Sequence, residues 1–230
     1  MARLLHPDLY RRLTNEEINA LPIVHYEGPV HLIRSRTEWK AAYPTLGSCN
    51  VLGFDTETKP TFRKGRVNRP ALVQLATDEA VYLIQLTWLP FNKFLADLLS
   101  NPKIIKVGVG IRCDMQALAG IYPFVPQALI DIGSIAKQNK LAAQGLRTLA
   151  ALLFGWRISK GSQCSNWSLQ ELTAKQITYA ATDAWIGRLI YLKMKELNLT
   201  FNRQNEKPVA RTALDRKLQC KNPTSKARRS

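Results

Sequence analysis

The apolar run Val51-Leu52-Gly53-Phe54 ends abruptly in Asp55-Thr56-Glu57. Val51, Leu52 and Phe54 read as a buried strand. Strand side chains alternate with period two, so Asp55 and Glu57 project from one face, at the end where a fold opens to solvent. Two carboxylates held that close repel, and their hard oxygens suit a divalent cation such as Mg²⁺ or Mn²⁺. Taken alone, the pair also fits an acidic turn closing a strand. Asp114 follows Gly108-Val109-Gly110 in the first turn of an expected helix, where an acid also complements the helix dipole. Gly108-x-Gly110 lacks the third glycine of a dinucleotide-binding loop. Tyr179 and Asp183 lie four residues apart in a late helical stretch, on nearly the same face. Small neighbours, Ala180, Ala181 and Ala184, let that helix pack closely and offer a phenol and a carboxylate to whatever lies beneath.

The elements that must position these groups can be read in order. Thr14 and Glu17 form a capping box for a short helix from about residue 15, ended by Pro22. Residues 30–33 follow Gly28-Pro29 as a first strand. Ser35 and Glu38 cap a second helix carrying Trp39, Ala42 and Tyr43, expected to break at Pro44 and Gly47. Residues 71–76 and 80–86 form a hairpin around Thr77-Asp78-Glu79 and, with the acidic strand, make three consecutive antiparallel strands. A helix over 91–99, a strand over 103–110, a helix from about 111 to 119 and a short strand over 129–132 follow. Helical patterns lie at 134–139 and 146–154, the latter stopped by Gly155. Thr173 and Gln176 then cap a helix running to about Leu197. Antiparallel strands followed by α-β-α-β give an α/β fold, a ribonuclease-H-like mixed sheet flanked by helices. The loop 59–69 carries Arg63, Lys64, Arg66 and Arg69 after Phe62. Beside the carboxylates it would hold a phosphate backbone, though it equally reads as a solvated loop.

Charge narrows the partner. With 33 Lys and Arg against 17 acids, the 230-residue chain carries a formal +16 and a pI near 10.0, which implies a polyanion, with nucleic acid first. Residues 203–230 hold nine basic and two acidic side chains, a basic tail expected to be disordered and to add sequence-independent phosphate affinity. Four cysteines (49, 113, 164, 220) show no C-x-x-C spacing, and the three histidines (6, 25, 31) lie outside the acidic motifs. Zinc and Cys–His nucleophile chemistry are therefore disfavoured, and a reducing intracellular location follows, cytoplasmic, or nuclear in a eukaryote. No apolar run approaches the roughly 20 residues that span a bilayer, so no membrane partner is expected. The N-terminus lacks a secretory apolar region, and Asp8, Glu16 and Glu17 argue against a transit peptide.

Taken together, Asp55-x-Glu57, Asp114 and Tyr179-x-x-x-Asp183 are far more specific than any one of them. Over residues 30–197 the chain resembles the DEDDy 3′–5′ exonucleases, most of all the exonuclease domain joined to the Werner syndrome helicase and more distantly ribonuclease D. Phe54-Asp55-Thr56-Glu57-Thr58, Val107 to Asp114 and Tyr179-Ala180-Ala181-Thr182-Asp183-Ala184 carry the likeness, with Leu72-Val73-Gln74-Leu75 and Ser165-Asn166-Trp167-Ser168 as further positions. The resemblance implies two divalent metal ions, Mg²⁺ or Mn²⁺, held by Asp55, Glu57, Asp114 and Asp183. It implies that Tyr179 holds the attacking water and that Glu57 accepts the terminal 3′-hydroxyl. The implied reaction is release of 5′-mononucleotides from the 3′ end of DNA or RNA, DNA slightly favoured; the alternative is a catalytically silent nucleic-acid-binding protein keeping the same fold. Asp131 reads as structural, and Trp167 as packing rather than a base-stacking platform. The expected organisation is an N-terminal extension over 1–29, an exonuclease domain over 30–202 and the tail over 203–230.

Overall fold

The computed structural model describes residues 7–60 and 68–199. A six-stranded sheet runs in the order β1-β4-β3-β2-β5-β6. Its strands are β1 Val30–Ile33, β2 Val51–Thr58, β3 Pro70–Ala76, β4 Val81–Gln85, β5 Ile105–Gly108 and β6 Leu129–Asp131. β2, β3 and β4 are antiparallel neighbours, as expected of three consecutive strands with a short turn between the last two. β5 and β6 add parallel strands beyond β2, and β1 pairs in parallel with β4 at the opposite edge. The sheet is therefore mixed, and its central strand is the one bearing Asp55 and Glu57. No helix of the described residues is long and apolar enough to cross a membrane.

Helices cover both faces. α2 (Arg36–Ser48), α3 (Lys93–Ser100) and α4 (Ile111–Ala119) close one side, where Leu52, Phe54, Val73, Leu75 and Ile84 meet Trp39, Leu95 and Met115. α5 (Ile132–Gln138), α6 (Leu146–Phe154) and α7 (Ala174–Glu196) close the other. α1 (Asn15–Ala20) precedes the sheet and follows a 3₁₀ turn at Pro7–Tyr10. The capping boxes expected at Thr14, Ser35 and Thr173 are all formed.

The clearest departure from the reading of the sequence is at the end of α2. α2 continues through Pro44 and Gly47 to Ser48. Proline inside a helix costs about 3 kcal/mol, but Trp39, Ala42 and Leu46 are buried on one face, and each large apolar side chain so buried contributes about 1.5–3 kcal/mol. Packing outweighs the missing hydrogen bond. The expected strand over 103–110 is confined to β5, because Gly110 turns into the left-handed region (φ 68°) as the N-cap of α4.

α7 lies directly on the middle of the sheet. Its buried face carries Ala180, Ala181, Ala184 and Gly187, and a Cβ at Gly53 would run into the Ala184 carbonyl oxygen. That contact brings Asp183, the residue before Ala184, down onto the end of β2.

Candidate active site

The site is built where β2 leaves its apolar half. Asp55 and Glu57 share the face of Gly53, toward α7, by the alternation of the strand. Thr56 turns to the other face, and there its hydroxyl donates to Asp114 Oδ1 at 2.6 Å. This bond fastens the first turn of α4 to β2. The Thr56 backbone N–H donates to Asp55 Oδ1 at 2.8 Å. Tyr179, one helical turn before Asp183 on α7, donates its hydroxyl to the Asp183 carboxylate. Asp55, Glu57, Tyr179 and Asp183 line one cleft of about 460 Å³, while Asp114 reaches the group through Thr56 rather than by lining that cleft.

Burial and mutual repulsion dominate the electrostatics. Asp55 is held well above the ordinary carboxylate range by burial, then by Asp183 and Asp114. Glu57 is pushed up to about 9 by burial, then by Asp55, Asp183 and Asp114. Burial raises Asp183 to about 7 against the lowering effect of the Tyr179 hydrogen bond. Asp114 is raised by burial, with the Thr56 bond opposing. Burial and the neighbouring carboxylates push the Tyr179 phenol up as well, so its hydroxyl keeps its proton. None of the four acids is in an ion pair among the described residues.

Such a group calls for a cation from outside, and its oxygen donors fit a hard divalent ion. Among the described residues no three His, Cys, Asp or Glu side chains already surround one metal position. Thr56 engages Oδ1 of Asp55 and Oδ1 of Asp114, which leaves Oδ2 of each outside these two bonds.

Several residues join the site without an advance signal. Arg147 at the start of α6, Lys160 and Gln163 line the cleft, as do Asn15 and Ile18 of α1. Lys160 lies in the polar stretch Ser159 to Gln163, a weak signal; Arg147 has none. Gln74 stands directly across from Asp55 in the β2–β3 register, is fully buried, and has both amide atoms without a hydrogen-bond partner. Of the basic loop, Arg63, Lys64 and Arg66 lie outside the described residues. Arg69 is exposed and lines a separate cavity of about 280 Å³ with Lys59 and Ser168, not the cleft of the acids. The tail over 203–230 also lies outside the described residues. Asp131 caps α5, accepting from the backbone N–H groups of Gly133 and Ser134, which is the structural role expected of it. Trp167 is 1% exposed and packs on the Tyr179 ring, centroids 6.0 Å apart, so it backs the tyrosine and presents no open face to a base.

Comparison with known proteins covers the stretch that holds these residues. Residues 30–198 match the 3′-5′ exonuclease family. The chain is 34% identical over 161 residues to the bifunctional 3′-5′ exonuclease/ATP-dependent helicase WRN of Mus musculus, covering 67% of this chain and 12% of that protein. It is 30% identical over 185 residues to the exonuclease mut-7 homolog of Homo sapiens, covering 68% of this chain and 21% of that protein. The chain thus spans only about a tenth to a fifth of the length of these two curated relatives. The Nibbler EXO domain of Aedes aegypti superposes with a TM-score of 0.68 at 25% identity, over 77% of this chain and 92% of that one. A ribonuclease D of Trypanosoma brucei, solved in complex with RNA U12, shares the fold with a TM-score of 0.64 at 21% identity, over 77% and 64% of the two chains.

Proposed function

We propose, since this chain belongs to the 3′-5′ exonuclease family, that it hydrolyses nucleic acid from the 3′ end and releases 5′-mononucleotides, using two divalent ions, Mg²⁺ or Mn²⁺. The observation that carries this reading is the convergence of Asp55, Glu57, Asp114 and Asp183 from one strand and two helices, each raised in pKa and none in an ion pair among the described residues. DNA stands first as substrate on the likeness to a helicase-linked exonuclease, with RNA second.

In this reading the four carboxylates would hold the ions. Two bound ions would supply charge stabilisation to the attacking and leaving oxygens of an in-line displacement. The protein's part is placement. Tyr179 keeps its proton and donates it to Asp183, so its hydroxyl oxygen would orient the attacking water by accepting a hydrogen bond from it rather than serving as a base. Glu57 accepts a hydrogen bond from the terminal 3′-hydroxyl. Thr56 holds Asp55 through its amide and Asp114 through its hydroxyl, so one residue couples the two elements that must stay in register.

The test is a time course on matched 5′-labelled single-stranded DNA and RNA with Mn²⁺, Mg²⁺ or EDTA, for wild type and Asp55→Ala. A ladder shortening from the 3′ end, requiring metal and lost in Asp55→Ala, is the expected result. Binding of both strands with no shortening under either metal overturns it and leaves a silent nucleic-acid-binding protein.

A further inference from the structure

The segment before the matched family region is part of the site. Asn15 and Ile18 of α1 line the catalytic cleft together with Asp55, Glu57 and Asp183. After α1 the chain turns extended and is strapped across the face of the molecule. The Val24 N–H donates to the Arg157 carbonyl at 2.8 Å, and the Arg157 N–H donates to the Pro22 carbonyl at 2.9 Å. The Tyr26 N–H donates to the Thr182 hydroxyl at 3.0 Å, one residue from Asp183, and the Tyr26 ring packs on Trp185 with centroids 5.7 Å apart. Arg147 donates to the Asn19 side chain at 2.7 Å. Both ends of the strap are therefore fastened to elements that build the cleft.

Between this strap and the start of α7 lies a second cavity of about 590 Å³. Ile23, Val24 and His25 line it, as do Tyr179 and Asp183, which also line the catalytic cleft, so the two cavities meet at those residues. Asp55 and Glu57 line only the first. A strand whose reacting end sat in the first cavity would continue past Tyr179 into the second.

The chemistry of the strap says which part of a nucleotide it would face. Residues 7–29 carry four acids (Asp8, Glu16, Glu17, Glu27) against two arginines (Arg11, Arg12), in a chain of net +16. That balance does not attract phosphate. Ile23 is 57% exposed, a large apolar side chain left open beside the reacting groups, while Lys175 supplies a cation to the same cavity from the start of α7. His25 lies 3.5 Å from Glu27 and is exposed.

We infer that the strap, residues 22–25, with Ile23 at its centre, is a binding site for the base and sugar of the nucleotides next to the reacting one. The inference rests on the exonuclease reading for its geometry, but it can be read without turnover. Binding of a 5′-fluorescein-labelled DNA hexanucleotide is measured by anisotropy in EDTA for wild type, Ile23→Ala and Ile23→Ser, with melting temperatures recorded for each. Hydrolysis of the same hexanucleotide is then compared with that of the p-nitrophenyl ester of thymidine 5′-monophosphate, which reaches only the catalytic cleft.

Ile23→Ser is expected to weaken hexanucleotide binding about tenfold, the size of one lost base contact, and to lower the ratio of kcat/KM for hexanucleotide over ester by a similar factor. Ile23→Ala should fall between it and wild type. Hexanucleotide binding unchanged in Ile23→Ser at an unchanged melting temperature overturns the inference. So does an equal loss on ester and hexanucleotide, since the strap would then shape the catalytic cleft alone. Wild type inert on both substrates sinks the exonuclease reading, and the anisotropy still decides the strap.

Discussion

Two buried charged regions sit on neighbouring strands of one sheet and meet opposite fates. Lys106 on β5 is fully buried, opposite Leu52 of β2, and its ammonium donates to the Asn101 carbonyl at 2.9 Å. Burial alone lowers its pKa to about 8. A lone cation can satisfy this environment by shedding its proton, with one carbonyl as partner. The acids at the end of β2 neutralise by holding protons, and because each carboxylate that ionises raises the cost for the next, they are not all charged together without a counter-charge. The lysine's problem is solved inside the protein; the carboxylates, once ionised together, are stable only with positive charge brought in. That difference separates a structural burial from a site.

The largest effect expected is from removing the centre of the acidic group. Asp55→Asn should lower kcat by about 10³-fold, in the range lost when a group stabilising transition-state charge is removed. The same change should raise the melting temperature in EDTA at pH 8, because one repelling charge is gone. A variant that is both inactive and destabilised would make Asp55 a structural residue rather than a member of a charge-repelling site. Tyr179→Phe should cost about 10²-fold in kcat. It also removes the hydrogen bond that holds Asp183 down, so the acidic limb of the pH–rate profile should move to higher pH. A profile that keeps its position would mean that Asp183 does not titrate with Tyr179 as its partner.

The two regions also predict opposite slopes of stability against pH. Glu57 titrates near 9 in the fold and near its ordinary 4.5 when unfolded, so the folded state binds more protons between those values. Its contribution is fully present at low pH and is lost as pH rises through that window. In EDTA, chemical denaturation should therefore show stability falling from pH 5 to pH 9, and Mn²⁺ should stabilise more at pH 8 than at pH 5. A flat profile in EDTA with no metal effect would remove the electrostatic basis of the proposed site.

Much of this arrangement was legible because it is local. The strand ending at Asp55 and Glu57, the capping boxes at Thr14, Ser35 and Thr173, and the one-turn spacing of Tyr179 and Asp183 depend on neighbours in sequence. What the reading missed depends on contacts across the fold. Leu46 carries α2 past Pro44 because of the core it enters. The Thr56 to Asp114 bond joins residues 58 positions apart and follows no period. β1 pairs with β4 rather than with a strand near it in sequence. Arg147 and Lys160 reach the cleft from a helix start and a loop without any spacing to announce them, whereas Arg69, whose loop position suggested the site, lines another cavity. The strap from Pro22 to Tyr26 carried no motif at all, and its place beside Asp183 rests on hydrogen bonds to Arg157 and Thr182.

The smallest effect is expected from Lys106→Met, and it tests the other half of the comparison. The methionine keeps the unbranched apolar stem and discards the buried ammonium, leaving the Asn101 carbonyl with the Ile104 N–H, at 3.4 Å, as its remaining donor. In the wild type the folded state binds fewer protons than the unfolded chain between pH 8 and the ordinary lysine value of 10.5, so stability from this group grows as pH rises through that window. Replacing it should therefore raise the melting temperature at pH 7 by about 2–4 °C, the equivalent of about 1 kcal/mol for a domain of this size, and the gain should shrink to nothing by pH 10.5. Activity should be untouched, since Lys106 lines no part of the cleft. If Lys106→Met instead destabilises the protein equally at every pH, the ammonium's hydrogen bond outweighs its burial, and the lysine is a structural anchor whose charge the fold has paired rather than one it has suppressed.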